Sequence, residues 1–242
     1  MTKKKKIVIG ICISLLLLGA ILFLFLYNYG YSGIHKHTKA KEGQIKVACV
    51  GDSITYGHGI RDWKNNNYPA QLQEILGDGY HVENFGHSGR TLSSNGDKPY
   101  TESEQYKLSL EYDADVVVIM LGTNDSKPKN WTSELDFIKE YENLINSYKK
   151  NNPNVKIILC TPARAFFPNG KSEGKTSYDI QPSVVERIKN EIRTFAFIEN
   201  YELVDIYGIT EYHREWFKDN VHPNGDGARA MAEAIAKKIT DK

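Results

Sequence analysis

Val116-Val117-Val118-Ile119-Met120-Leu121, followed at once by Gly122-Thr123-Asn124-Asp125, sets the fold class of the chain. Six apolar residues stand in a row with no polar alternation. A strand with one wet face alternates, so an unbroken run suits a strand covered on both faces, as in a parallel sheet between helical layers. Working outward, stretches 45–50 and 82–85 upstream and 155–159 and 203–206 downstream have the same character. Between and after them lie helical patterns over 68–76, 102–110, 134–150, 184–197 and 226–239, with Thr132 and Ser133 as caps for the third. A strand-helix unit repeated five times predicts an α/β fold, a three-layer α/β/α sandwich around a five-stranded parallel sheet. Internal repeats and low-complexity tracts are absent. Residues 151–154 read as a turn and 168–176 as a polar, glycine-containing loop.

In open parallel sheets, ligands bind beyond the carboxyl ends of the strands. Those ends carry Gly51-Asp52-Ser53, then Asn84-Phe85-Gly86-His87-Ser88-Gly89, then Gly122-Thr123-Asn124-Asp125, then Thr161-Pro162-Ala163-Arg164. After the last strand a longer connection leads to Asp219-Asn220-Val221-His222-Pro223. Polar and glycine residues thus collect on one sheet edge, a pattern that packing alone does not require.

Charge and cysteine content narrow the function further. Of a total of +1, Lys3–Lys6 carry +4 and residues 27–44 carry +2, so 45–242 carries −5. Nucleic-acid binding needs clustered Lys and Arg to neutralise phosphates, and the folded part has no basic excess. Cys12 lies in an apolar run, while Cys49 and Cys160 fit small buried hydrophobes rather than nucleophiles. No His/Cys/Asp cluster has metal-ligand spacing, so neither a metal nor an organic cofactor is expected.

Residues 1–6 form a basic tail, and 7–26 are twenty apolar residues without a charge. At about 1.5 Å per residue such a helix crosses a hydrocarbon core roughly 30 Å thick. Lys-rich flanks stay cytoplasmic, so the expected layout is a cytoplasmic tail 1–6, a transmembrane signal anchor 7–27, a flexible linker 28–44 and an extracellular domain 45–242. Tyr27, Tyr29 and Tyr31 would form an aromatic belt at the far interface. The competing reading is a cleaved signal peptide, but no small-x-small cleavage site follows Leu26. His35 and His37 read as a solvated linker feature.

The four blocks resemble those of the SGNH hydrolases, a branch of the GDSL esterase/lipase family, over all of 45–242 and in the family's order. Ile54 stands where the namesake motif has Leu. The resemblance implies a flavodoxin-like SGNH fold and a carboxylic ester hydrolase. A serine hydroxyl is a poor nucleophile until a base takes its proton. Ser53, at a strand-to-helix turn, is the candidate nucleophile, although the same position suits a helix N-cap. His222 is the candidate base, and Asp219, three residues earlier, would fix its tautomer. By resemblance, the oxyanion donors are the Ser53 N–H, the Gly89 N–H and the Asn124 side-chain amide. Gly86 reads as part of a tight turn, and Asp52 and Asp125 as holders of loop backbone. A histidine base implies activity falling below about pH 6.5.

The third block, continuing through Ser126-Lys127-Pro128 to Asn130-Trp131, is similar to that of carbohydrate-directed acetylesterases, which implies O-acetyl groups on sugars as substrate. Trp131, Phe166, Phe167 and Tyr178 would either stack on sugar rings or pack into the core. Arg164 would either orient an anionic substrate group or pair with a neighbouring carboxylate. The expected partners are therefore a small ester or O-acetylated glycan and, through the N-terminal helix, a membrane. A lysophospholipase or thioesterase, an O-acetyltransferase with the same triad, and a silent glycan-binding domain are the alternatives. The sequence carries no signal for oligomeric state.

Overall fold

The computed structural model describes residues 3–30, 35–168 and 171–241. Helix α1 (Lys3–Asn28) precedes a sheet of five parallel strands: β1 (Ile45–Gly51), β2 (Tyr80–Gly86), β3 (Val116–Met120), β4 (Lys156–Cys160) and β5 (Glu202–Val204). Their order across the sheet is β2-β1-β3-β4-β5. Neighbouring residues of β1 explain the two covered faces. Val47 and Cys49 join one buried cluster with Trp63, Tyr68 and Leu72 and with Met231, Ile235 and Ile239. Ala48 and Val50 join a second, with Phe137, Tyr141 and Leu144 and with Val184, Ile188 and Ile192. The first face therefore carries α3 (Trp63–Asn66), α4 (Tyr68–Leu76) and α9 (Gly225–Thr240). The second carries α6 (Glu134–Asn151) and α7 (Pro182–Ile198), with α5 (Glu104–Glu111) beside them.

Caps fix where these helices start. Ser133 accepts the Asp136 N–H at 3.1 Å, Ser103 that of Tyr106 at 3.1 Å, and Asn224 those of Asp226 and Gly227 at 3.1 and 3.0 Å. Strand β2 starts earlier than its apolar stretch, and β5 stops at Val204 rather than Ile206. There Asp205 takes the chain into α8 (Ile206–Thr210) by accepting the Gly208 N–H at 3.3 Å. Helices of four or five residues such as α2 (Ser53–Tyr56), α3 and α8 are too short to leave a periodic apolar signal. The direction in which successive strands are added across the sheet reverses between β1 and β3, and the crevice beyond their carboxyl ends is the switch point where such sheets hold ligands.

The N-terminal helix is long and apolar enough to cross a membrane, and none of its candidate span (Lys4–Asn28) is buried against the domain. Its C-terminal end does meet the domain. Asp62 N–H donates to the Asn28 carbonyl at 2.7 Å and Gly59 N–H to that of Tyr29 at 2.8 Å. Tyr27 packs edge-on against Trp63 with centroids 6.5 Å apart, and Tyr31 lies outside the described residues. The linker expected to be flexible is corrected over 35–38. His35 Nε2 bonds the Tyr56 carbonyl oxygen at 2.9 Å and its ring meets Trp63 at 4.5 Å. His37 Nδ1 lies 2.8 Å from Glu83 Oε2, with its ring stacked on Phe85, and the Thr38 N–H donates to Glu83 Oε1 at 2.8 Å. The two histidines are not a solvated feature. A buried Glu83 on edge strand β2 lacks a sheet neighbour on that side, and the linker supplies its partners.

Candidate active site

Ser53 is the first residue of α2, directly after β1. The turn is tight: a Cβ on Gly51 would sit 2.0 Å from Thr55 Oγ1, so only glycine lets the helix fold back on the strand end. Asp52, not Ser53, is the N-cap, its Oδ1 accepting the Ile54 N–H at 2.9 Å. Burial pushes the Asp52 carboxyl up, against the hydrogen bond from Ile54. With the cap filled by its neighbour, the Ser53 hydroxyl is left to reach another group.

That group is His222. Its Nε2 lies 2.8 Å from Ser53 Oγ, and its Nδ1 lies 2.7 Å from Asp219 Oδ2. The partners assign the tautomer: Nδ1–H donates to the carboxylate, and Nε2 accepts the serine proton. Asp219 also accepts the backbone N–H groups of Val221 and His222 at 3.0 and 2.8 Å, so one local turn orients both side chains. Burial raises the Asp219 carboxyl, but the hydrogen bonds and charge of His222 and these two N–H groups outweigh it, holding the group well below the usual carboxylate range.

Ser53, Gly89, Asn124 and His222 line one pocket with a cavity volume of about 110 Å³, with Tyr178, Ile180 and Val221 on its walls. Gly89 has φ +80°, a left-handed conformation, and a Cβ there would meet nothing nearer than Lys98 Cδ at 3.7 Å. Conformation, not space, is therefore what favours glycine at this position. The Asn124 amide is fixed by donation to the Arg90 carbonyl at 3.1 Å, and the Asn130 amide supports the Asn124 carbonyl at 2.9 Å. Asp125 accepts the Leu92 and Ser93 N–H groups at 3.0 and 2.8 Å, tying the second and third blocks together, and burial lifts its carboxyl to about 6.

Of the five side chains given either a substrate-contact or a packing role, only Tyr178 lines the pocket, edge-on to His222 with centroids 5.1 Å apart. Trp131, Arg164 and Phe166 take the packing or pairing alternative. Trp131 packs on Phe137 under the Arg187 guanidinium, and Arg164 pairs with Glu211 at 3.1 Å. Phe166 is buried against Phe217 at 5.1 Å. A side chain that sequence reasoning missed is His58, whose ring lies 4.6 Å from that of His222, centroid to centroid. Burial first, then the His222 charge, hold its imidazole down at about 4, so it stays neutral beside the candidate base. Lys127, three residues after Asn124, is another missed pocket residue. Among the described residues no group of three or more His, Cys, Asp or Glu is placed to hold a metal ion.

Residues 49–230 match the model of the GDSL-like lipase/acylhydrolase family. The chain is 38% identical over 217 residues to an acetylxylan esterase from Xylanibacter ruminicola, covering 82% of this chain and 44% of that protein. It is 25% identical over 221 residues to the cellulase/esterase CelE of Acetivibrio thermocellus, covering 81% of this chain and 25% of that protein. The chain thus spans less than half the length of these relatives. Among solved structures, an acetyl xylan esterase, AlAXEase, superposes with a TM-score of 0.61 at 26% identity, covering 79% of this chain and 98% of the other. Est24, a carbohydrate acetylesterase from Sinorhizobium meliloti, gives a TM-score of 0.63 at 20% identity over 81% and 98%, a likeness of fold.

Proposed function

Because the chain belongs to the GDSL-like lipase/acylhydrolase family and is built as a carboxylic ester hydrolase, we propose that it removes O-acetyl groups from carbohydrates through an acyl-serine intermediate, at the outer face of a membrane to which α1 anchors it. The observation that carries this reading is the continuous relay from Ser53 through His222 to Asp219, with contacts of 2.8 and 2.7 Å, opening into a small pocket. Ser53 Oγ attacks the acetyl carbonyl carbon while His222 Nε2 takes its proton. The imidazolium is stabilised by Asp219, and negative charge on the carbonyl oxygen is met by the Ser53 and Gly89 N–H groups and the Asn124 amide. His222 then protonates the departing sugar oxygen, leaving acetyl-Ser53. Water attacks this ester, His222 takes the water proton, and acetate leaves as Ser53 regains its hydrogen.

The acetylxylan esterase relative supports a carbohydrate acceptor, and the limited pocket volume supports a short acyl group. Anchoring is supported by the apolar helix and by a groove that Phe25 and Tyr29, at its last turns, share with Asp219 and His222. That groove holds the relay beside the point where the chain would leave the bilayer.

The test is a 4-nitrophenyl ester series with full-length protein in detergent, extended to acetate release from O-acetylated xylan. Acetate should be cleaved with a kcat/KM at least about tenfold above octanoate, a few methylenes being worth that much in a fitted pocket. Faster octanoate cleavage would make the protein a lipid acyl hydrolase instead. Transfer of acetyl to an added glycan without acetate release would make it a transferase.

A further inference from the structure

The oxyanion side of the pocket is positively charged, on a domain whose net charge is −5. Lys127 lines the pocket itself, together with Ser53, Gly89 and Asn124. The Lys98 ammonium stands 4.0 Å from where a Cβ on Gly89 would be, so it overhangs the expected oxyanion donor. Arg90 follows Gly89 directly, its guanidinium held by the Pro99 carbonyl oxygen at 3.2 Å and lying 3.4 Å from His87 Nε2.

The local acids do not neutralise this group. Asp97 is taken by Lys129 at 2.6 Å and Asp179 by Lys175 at 2.6 Å. Among the described residues, Arg90, Lys98 and Lys127 have no carboxylate within the 4 Å of an ion pair. Burial and then Arg90 and Lys98 depress His87, and burial depresses Lys127, with Asp97 and Asp52 opposing that effect and Lys129 and Lys98 adding to it. Structural ion pairing does not explain Lys127 in the pocket lining or Lys98 beside Gly89. An anionic ligand would.

We propose that Lys98 and Lys127 form a subsite for a negatively charged group on the substrate, so that the preferred ester is an O-acetyl group on an acidic glycan, one sugar or one linkage away from a carboxylate or phosphate. The inference rests on the esterase reading above and deepens it. Cations on this side attract the anionic sugar and steer its encounter with the pocket. Because they also face the forming oxyanion, they help every ester to some degree. Only the ratio between charged and neutral substrates isolates the subsite.

The experiment compares kcat/KM of the full-length protein for acetate release from three matched monosaccharides: an acetylated methyl glucoside, the corresponding glucuronoside and the corresponding sugar phosphate. At about 20 mM salt at least one anionic ester should exceed the neutral one by roughly tenfold, and the preference should shrink towards unity near 1 M salt, where screening falls to about 3 Å. Whether the glucuronoside or the phosphate gains more identifies the anion. Lys98→Gln and Lys127→Gln should each lower the anionic-to-neutral ratio by about threefold or more, and Lys98→Glu further. A ratio at or below one at low salt would overturn the subsite, as would variants that lower all three substrates by the same factor. Failure to cleave any of the three would instead sink the acetylesterase reading.

Discussion

At Ser53, whether the hydroxyl caps a helix or is left to meet another group turns on its neighbour. Asp52 takes the cap, so the Ser53 hydroxyl points at His222 Nε2 instead. Ser53→Ala should reduce 4-nitrophenyl acetate turnover by at least about 10⁴-fold at an unchanged melting temperature. A variant that kept a tenth of the rate would remove this hydroxyl from the chemistry. Asn124→Ala should cost about 10²–10³-fold in kcat, the usual loss for one oxyanion donor, and an effect confined to KM would argue against that role. Residues of this kind were legible because their spacing around glycines at strand ends is unusual in itself. Trp131, Arg164 and Phe166 were not, since an aromatic ring or a guanidinium finds its partner only after the helices dock. His58 was missed because a histidine in a loop has no sequence feature that tells a neighbour of the base from a surface group.

Among the elements, the linker was read least well. Its polar, glycine-containing composition matches a free tether, yet His35 and His37 reach a ring and a carboxylate about twenty to forty-five positions away in the chain. Burial holds the His35 imidazole down at about 4, with the Tyr56 carbonyl oxygen and Glu83 opposing and His37 and Lys64 adding to the effect. A released histidine titrates near about 6.5, so between these values the undocked linker binds a proton that the docked one does not. Docking is therefore complete above about pH 6.5 and weakens as the pH falls towards 4. Trp63 fluorescence, reporting on its contact with His35, should change with a midpoint in that window and lose the change in His35→Phe. Identical profiles in the two proteins would discount the linkage. The sheet strands, by contrast, were readable to within a few residues, because a short β-branched apolar run such as 116–121, bounded by turn residues, suits a strand with both faces covered.

For the whole molecule, the linker joins the N-terminal helix to the catalytic layer rather than merely spacing them. A chain starting at residue 35 should melt about 4–8 °C above one starting at residue 45, since the latter loses the His35 and His37 contacts, together worth about 2 kcal/mol. Equal melting temperatures would reduce the docking to a surface association. By itself the sequence determined the layered α/β class, the parallel sheet, the apolar N-terminal helix and the set of polar blocks at one sheet edge. Each of these follows from local pattern: hydrophobic period, helix caps and glycine at sharp turns act between residues a few positions apart. Tertiary structure alone decided that His222 meets Ser53 across 169 positions, that the linker folds back on β2, and that Lys98 and Lys127 come to the Gly89 side of the pocket. Such contacts join loops from different strands, and their geometry is fixed only when strand order, register and helix packing have closed the sheet between its two layers.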